Sequence, residues 1–104
     1  MAKKEMQIIT ICGSLRFKNE MLDIAERLSF EGNCVLIPIF SVFKDNKITE
    51  EQISKLKKAH FKRIELSDAI LVVNINDYVG ESTNLEIQYA KELGKEIVYY
   101  TDLK

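Results

Sequence analysis

The chain has 104 residues, 46% hydrophobic and 30% charged, and its 15 basic and 16 acidic side chains leave a formal net charge of −1. That suffices for one core and a single domain spanning 1–104, and it is too apolar for a disordered segment. The balanced charge argues against a surface built for polymeric nucleic acid, and no run approaches the ~20 apolar residues of a membrane span.

The start, Met-Ala-Lys-Lys-Glu, carries no apolar signal region, so a soluble cytoplasmic protein is expected. Residues 7–12 (QIITIC) are short, apolar and rich in β-branched side chains, and read as a buried strand. Gly13-Ser14-Leu15-Arg16 breaks that strand. Residues 19–31 then place Met21, Leu22, Ile24, Ala25 and Leu28 at helical spacing, with Gly32 as the stop. A second strand is predicted over 34–39 (CVLIPI), with Pro38 near its end, where a missing ladder donor is tolerated. Residues 40–48 read as a loop. Thr49-Glu50-Glu51-Gln52 fits a capping box that opens a helix to about Leu66. The third strand, 68–74 (DAILVVN), is the clearest. After a loop over 75–81 come a helix over 82–93, stopped by Gly94, and a fourth strand over 96–101 (EIVYYT).

This alternation predicts an α/β fold: a three-layer, doubly wound parallel sheet of flavodoxin-like type, about four strands with helices on both faces. Such sheets bind ligands where the winding direction reverses, beyond the strands' carboxyl ends. With the strand order 2-1-3-4, that crevice lies between the loops 13–17 and 75–82.

Several residue patterns near that crevice point to chemistry. Gly13, Ser14 and Arg16 occupy a strand-to-helix turn, where backbone N–H groups, a hydroxyl and a fixed charge suit an anion. Thr83-x-x-Glu86 opens the third helix and admits two readings: a capping box serving its own helix, or a carboxylate at the crevice mouth. His60, the only histidine, falls on the Ile53, Leu56, Ile64 stripe of the second helix, facing the sheet, and reads first as a hydrogen-bonded core residue and second as a catalytic group. Tyr78 can cover a base or sugar, whereas Tyr99 and Tyr100 alternate across the last strand as packing. Lys55, Lys57, Lys58, Lys62 and Arg63 read as a solvated helix face. Cys12 and Cys34 show no metal-binding spacing and are expected to be free thiols. No metal is expected, because two cysteines and one histidine cannot supply four ligands without carboxylates.

Taken together, Ile11-Cys12-Gly13-Ser14-Leu15-Arg16, the strand Ser67–Asn74, and Glu86-Ile87-Gln88-Tyr89-Ala90 with Gly94-Lys95 resemble the nucleoside 2-deoxyribosyltransferase-like superfamily, which includes 2′-deoxynucleoside 5′-phosphate N-hydrolases. The resemblance implies that Glu86 attacks C1′ of a 2-deoxyribosyl group, expels the base, and passes the sugar to water or to another base. It implies no cofactor, and a nucleoside or nucleotide as the small-molecule partner. In the phosphate-accepting branch, residues matching Gly13, Ser14 and Arg16 line the 5′-phosphate site. Cys12 in that turn, and Gly80, Ser82 and Thr83 at the start of the third helix, complete the candidate substrate-binding set. The family's supporting aspartate falls on His60, so His60 becomes the candidate acid/base or orienting group, a histidine titrating near ambient pH. The family's tyrosine near the end of strand one falls on Thr10, and the residue six before the glutamate is Gly80. Family members run on past the fourth strand into a tail that completes a neighbouring subunit's site, and a homodimer or larger assembly is expected. The alternative function is a catalytically silent nucleotide-binding module of the same fold.

Overall fold

Side-chain alternation along two central strands divides the core between two faces. A computed structural model describes residues 6–40 and 48–103. In it β1 (Ile8–Gly13), α1 (Lys18–Phe30), β2 (Cys34–Leu36), α2 (Glu50–Leu66), β3 (Ala69–Val73), α3 (Glu81–Glu92) and β4 (Glu96–Tyr99) follow one another. The strands form one parallel sheet in the order β2-β1-β3-β4, as predicted. Ile9, Ile11, Leu71 and Val73 pack on Met21 and Ile24 of α1. Cys12, Ile70 and Val72 point the other way, against Ile64 of α2 and Ile87 and Ala90 of α3. One helix therefore covers one face and two cover the other, the period-2 alternation of the strands being converted into three layers. All five residues of β3 are buried, which is why its sequence is continuously apolar.

The ends of the helices follow local chemistry. Thr49 and Gln52 form the predicted capping box: Thr49 Oγ1 accepts from the Gln52 amide at 3.1 Å, and Gln52 Oε1 accepts from the Thr49 amide at 2.9 Å. Gly32 and Gly94 follow α1 and α3 at φ +100° and +72°, the left-handed region in which a helix C-terminus is sealed most cheaply by glycine. Among the described residues, no helix is long and apolar enough to cross a membrane.

Several boundaries differ from expectation, three of them for a local reason. β2 stops at Leu36 rather than reaching residue 39. Its register, Ile8↔Cys34 to Thr10↔Leu36, would next bring Ile37 and Pro38 onto β1, and proline has no N–H for the ladder. β4 ends at Tyr99, and 100–103 turns into a short 3₁₀ helix instead. Asn74 causes that turn: its Nδ2 donates to Thr101 Oγ1 and its Oδ1 accepts from the Thr101 amide, each at 3.2 Å. Tyr99 and Tyr100 pack on opposite faces of the sheet. Between β1 and α1, residues Leu15–Phe17, expected as loop, form a 3₁₀ turn, and α1 begins at Lys18, one residue earlier than expected. Most of the predicted 40–48 loop lies outside the described residues.

Candidate functional site

Beyond the carboxyl ends of β1 and β3 lies a cavity of about 560 Å³. Its floor comes from the two loops the topology singles out, with Gly13, Ser14 and Leu15 after β1 and Tyr78 and Gly80 after β3. The α3 wall contributes Glu81, Ser82, Thr83 and Glu86, and the α2 wall contributes Ile53, Leu56, Lys57, His60 and Arg63. Pro38 and Ile39 close a third side.

The turn after β1 is tight. A Cβ on Gly13 would stand 3.1 Å from the Val73 carbonyl oxygen, so glycine is what lets this turn close against β3. Ser14 caps the 3₁₀ turn, its Oγ accepting from the Arg16 amide at 3.3 Å. Arg16 does not line the cavity. Its guanidinium lies 4.2 Å from the centroid of the Tyr78 ring and donates to the Tyr78 hydroxyl at 3.4 Å. Tyr78 also meets Phe17 edge-on at 6.0 Å, so its ring, part of the cavity floor, is flanked by Arg16 and Phe17.

The capping-box reading of Thr83-x-x-Glu86 is overturned. α3 begins at Glu81, one residue earlier than predicted, with Gly80 as its N-cap and no side-chain cap. Thr83 therefore sits at the third helical position and is buried. Glu86 falls on the next turn, too far along to reach the helix start. Ser82 stays at the cavity rim, and the first amides of α3 lack any side-chain cap.

Three candidates converge below this rim. His60 Nε2 lies 3.7 Å from Cys12 Sγ and 3.8 Å from Glu86 Oε1. Cys12 and His60 are buried, the side chain of Glu86 is 17% exposed, and Glu86 Oε1 is enclosed without a hydrogen-bond partner. The other imidazole nitrogen, Nδ1, accepts from Arg63 at 3.2 Å, which puts the proton of the neutral ring on Nε2. Burial and then the Arg63 charge lower His60 to about 4, while the backbone of Ile11 pulls the other way. Burial raises Glu86 to about 7, and the neighbouring Cys12 thiol pulls it part of the way back. Burial and the Glu86 carboxylate push the Cys12 thiol up. His60 is thus held neutral at ambient pH, below the expected titration near neutrality, because burial disfavours its charged form and the Arg63 cation stands beside it.

Thr10, at the position of the family's tyrosine, does not reach the cavity. Its hydroxyl bonds Ser67 Oγ and donates to the Arg63 carbonyl at 3.1 Å, tying β1 to the end of α2. Arg63, read as part of a solvated face, is half-buried on the cavity wall, whereas Lys57 borders the cavity but is exposed, as Lys55, Lys58 and Lys62 are, in line with expectation. The signal was present in the spacing: Arg63 lies one turn beyond His60 on the same stripe.

Neither a protein-family model nor a curated protein matches the sequence. A solved structure, the 2-desoxiribosyltransferase from Leishmania mexicana, is similar to the chain with a TM-score of 0.67 at 18% identity. The likeness covers 90% of this chain and 63% of that one, so this chain spans less than two thirds of that structure's length. At this identity the likeness shows a shared fold.

Proposed function

We propose that the cavity takes a 2-deoxyribonucleoside or its 5′-phosphate, and that Glu86 attacks C1′ to cleave or transfer at the N-glycosidic bond. The observation that carries this reading is the Glu86 carboxylate on the cavity wall, desolvated and with one oxygen that has no hydrogen-bond partner among the described residues. An anion so placed gains most when C1′ becomes cationic in an oxocarbenium-like transition state. A covalent glycosyl ester then splits the displacement into two easier steps.

The rest of the site has roles in the same reading. His60, neutral and proton-bearing at Nε2, orients the carboxylate rather than protonating the leaving base. Ser14 and Ser82 hold the sugar or phosphate from the two loops. Gly13 and Gly80 shape the floor between them, Thr83 adds to the α3 wall, and Cys12 lies behind the cavity against His60. Arg16 acts through Tyr78, whose ring is available to cover the base or sugar. No cofactor enters this reaction. A homodimer or larger assembly goes with the same reading, and sedimentation at micromolar concentration tests it: a monomer would refute the shared-site expectation.

A second reading, nucleotide binding without turnover, is favoured by one observation: a neutral His60 supplies no ready proton for a leaving base. Incubation with a panel of deoxynucleosides and their 5′-phosphates, followed by chromatography of the free base, separates the two. Base release supports the glycosidic reading. Binding without release, detected by a thermal shift with the same compounds, supports the silent module.

A further inference from the structure

Cys12 comes from β1, His60 from α2 and Glu86 from α3, yet one ligating atom of each lies within 4.8 Å of the others. The sulfur and carboxylate Oε1 stand 3.7 and 3.8 Å from His60 Nε2. A tetrahedral zinc, with a sulfur at about 2.3 Å and nitrogen and oxygen at about 2.0–2.1 Å, holds its donors roughly 3.3–3.6 Å apart. The two separations from His60 Nε2 exceed these by a few tenths of an ångström, and the Cys12 and Glu86 donors, within 4.8 Å of each other, close the rest by side-chain adjustment.

The chemistry of the set is equally selective. A thiolate, an imidazole and a carboxylate suit zinc, whereas magnesium and calcium take oxygen ligands. The thiolate and the carboxylate together cancel the dication, so the loaded site would carry no net charge into a buried region. Glu86 Oε1 is already enclosed and unpartnered. His60 and Glu86 both line the cavity, so a fourth coordination position would open towards it.

We propose that Cys12, His60 and Glu86 form a binding site for one thiophilic divalent cation, Zn²⁺, with a fourth position left to water or a ligand. Binding replaces the Cys12 S–H bond by an S–Zn bond and, where Glu86 is protonated, its O–H bond by an O–Zn bond, and both protons leave to water. The Nε2 lone pair and a Glu86 carboxylate oxygen complete the protein's share. Nε2 gives up its hydrogen while Nδ1 gains one, and the Arg63 guanidinium, a donor 3.2 Å from Nδ1, swings aside. Arg63 therefore opposes the metal, and an acceptor in its place would favour it. Under the nucleophile reading above, and only for this consequence resting on it, zinc withdraws Glu86 from the sugar and acts as a reversible inhibitor.

The test uses the full chain, stripped with a chelator and titrated with Co²⁺ and then Zn²⁺. One equivalent of Co²⁺ should produce a near-ultraviolet thiolate-to-cobalt charge-transfer band, which one equivalent of Zn²⁺ removes. Competition with a chromophoric chelator should show Cys12→Ser weakening zinc by about 100-fold or more, Cys34→Ser leaving it unchanged, and Arg63→Gln tightening it by about 10-fold. Absence of the charge-transfer band in the wild-type protein overturns the site, whatever the variants do. So does undiminished zinc affinity in a folded Cys12→Ser protein. Base release is assayed separately, in chelator and with zinc. Release stopped by one equivalent of zinc supports the site, and release indifferent to bound zinc overturns Glu86 as a ligand. Zinc binding without any release in chelator leaves the site standing and removes the nucleophile reading instead.

Discussion

His60 and Glu86, presented by different helices with Nε2 and Oε1 3.8 Å apart, are both uncharged between about pH 4 and pH 7. Burial produces both shifts. It disfavours the imidazolium of one residue and the carboxylate of the other, so the pair sits in the cavity wall as two neutral neighbours rather than as an ion pair.

The first prediction separates the chemistry of Glu86 from its packing. Because Glu86 caps nothing, Glu86→Gln should fold like the wild type and still bind a deoxynucleotide. Base release should fall by more than about 10³-fold, since an amide cannot form the glycosyl ester. A 2-fluoro-2-deoxy nucleoside should leave its sugar mass on the Glu86 peptide of the wild type. An adduct on another peptide would place the nucleophile elsewhere.

The neutral pair also predicts how stability depends on pH. Glu86 holds a proton in the folded state up to about 7, against an ordinary value of 4.5. The stability it lends is complete below pH 4.5 and lost as pH rises through 7. His60 behaves in the opposite way: its contribution is present above its ordinary value of 6.5 and lost as pH falls towards 4. Between pH 4.5 and 6.5 the two slopes oppose each other. Glu86→Gln removes one of them, so the variant should gain about 2–3 kcal/mol on the wild type over that interval. Urea unfolding at three pH values measures the difference, and a flat difference would mean that Glu86 titrates normally.

A single histidine makes the third prediction simple to read. Its ring resonances should titrate near pH 4 in the wild type. In Arg63→Met the midpoint should rise, because the guanidinium beside Nδ1 is the second cause of the depression after burial. It should stay below the ordinary range, since burial remains. An unchanged midpoint would show that Arg63 does not hold the ring.

The thiols supply a fourth. Cys34 pairs with Ile8 at one end of β1 and Cys12 lies near the other, roughly 13 Å away at about 3.3 Å per residue, beyond disulfide reach. A thiol reagent should modify Cys34 in the native protein and both cysteines in denaturant without reductant. Native reactivity of Cys12 would contradict its burial and the raised pKa of its thiol.

The strand order, both glycine stops and the Thr49 cap were legible because each is written in local pattern. The start of α3 was not. Thr83-x-x-Glu86 satisfies the capping rule on paper, but Gly80 takes the N-cap and Thr83 turns inward. The meeting of Cys12, His60 and Glu86 was illegible for another reason. Each residue obeys its own element's periodicity, and only the sheet order brings β1 beneath the gap between α2 and α3. Arg63 was misread because composition places a basic cluster in solvent, whereas the helical stripe through His60 places this one member indoors.

Pro38 lies two residues beyond the end of β2. The ladder there runs in steps of two, with the Cys34 amide donating to the Gln7 carbonyl at 2.8 Å. The rung two steps on would need a Pro38 amide for the Ile11 carbonyl, and none exists. Ile11 is also the backbone group that draws on the His60 ring. The omission of one amide hydrogen thus keeps a sheet carbonyl in service to the cavity. Replacing Pro38 with alanine would offer that carbonyl a second donor, so the sheet would zip one rung further while the oxygen divides its two lone pairs between the ladder and the ring.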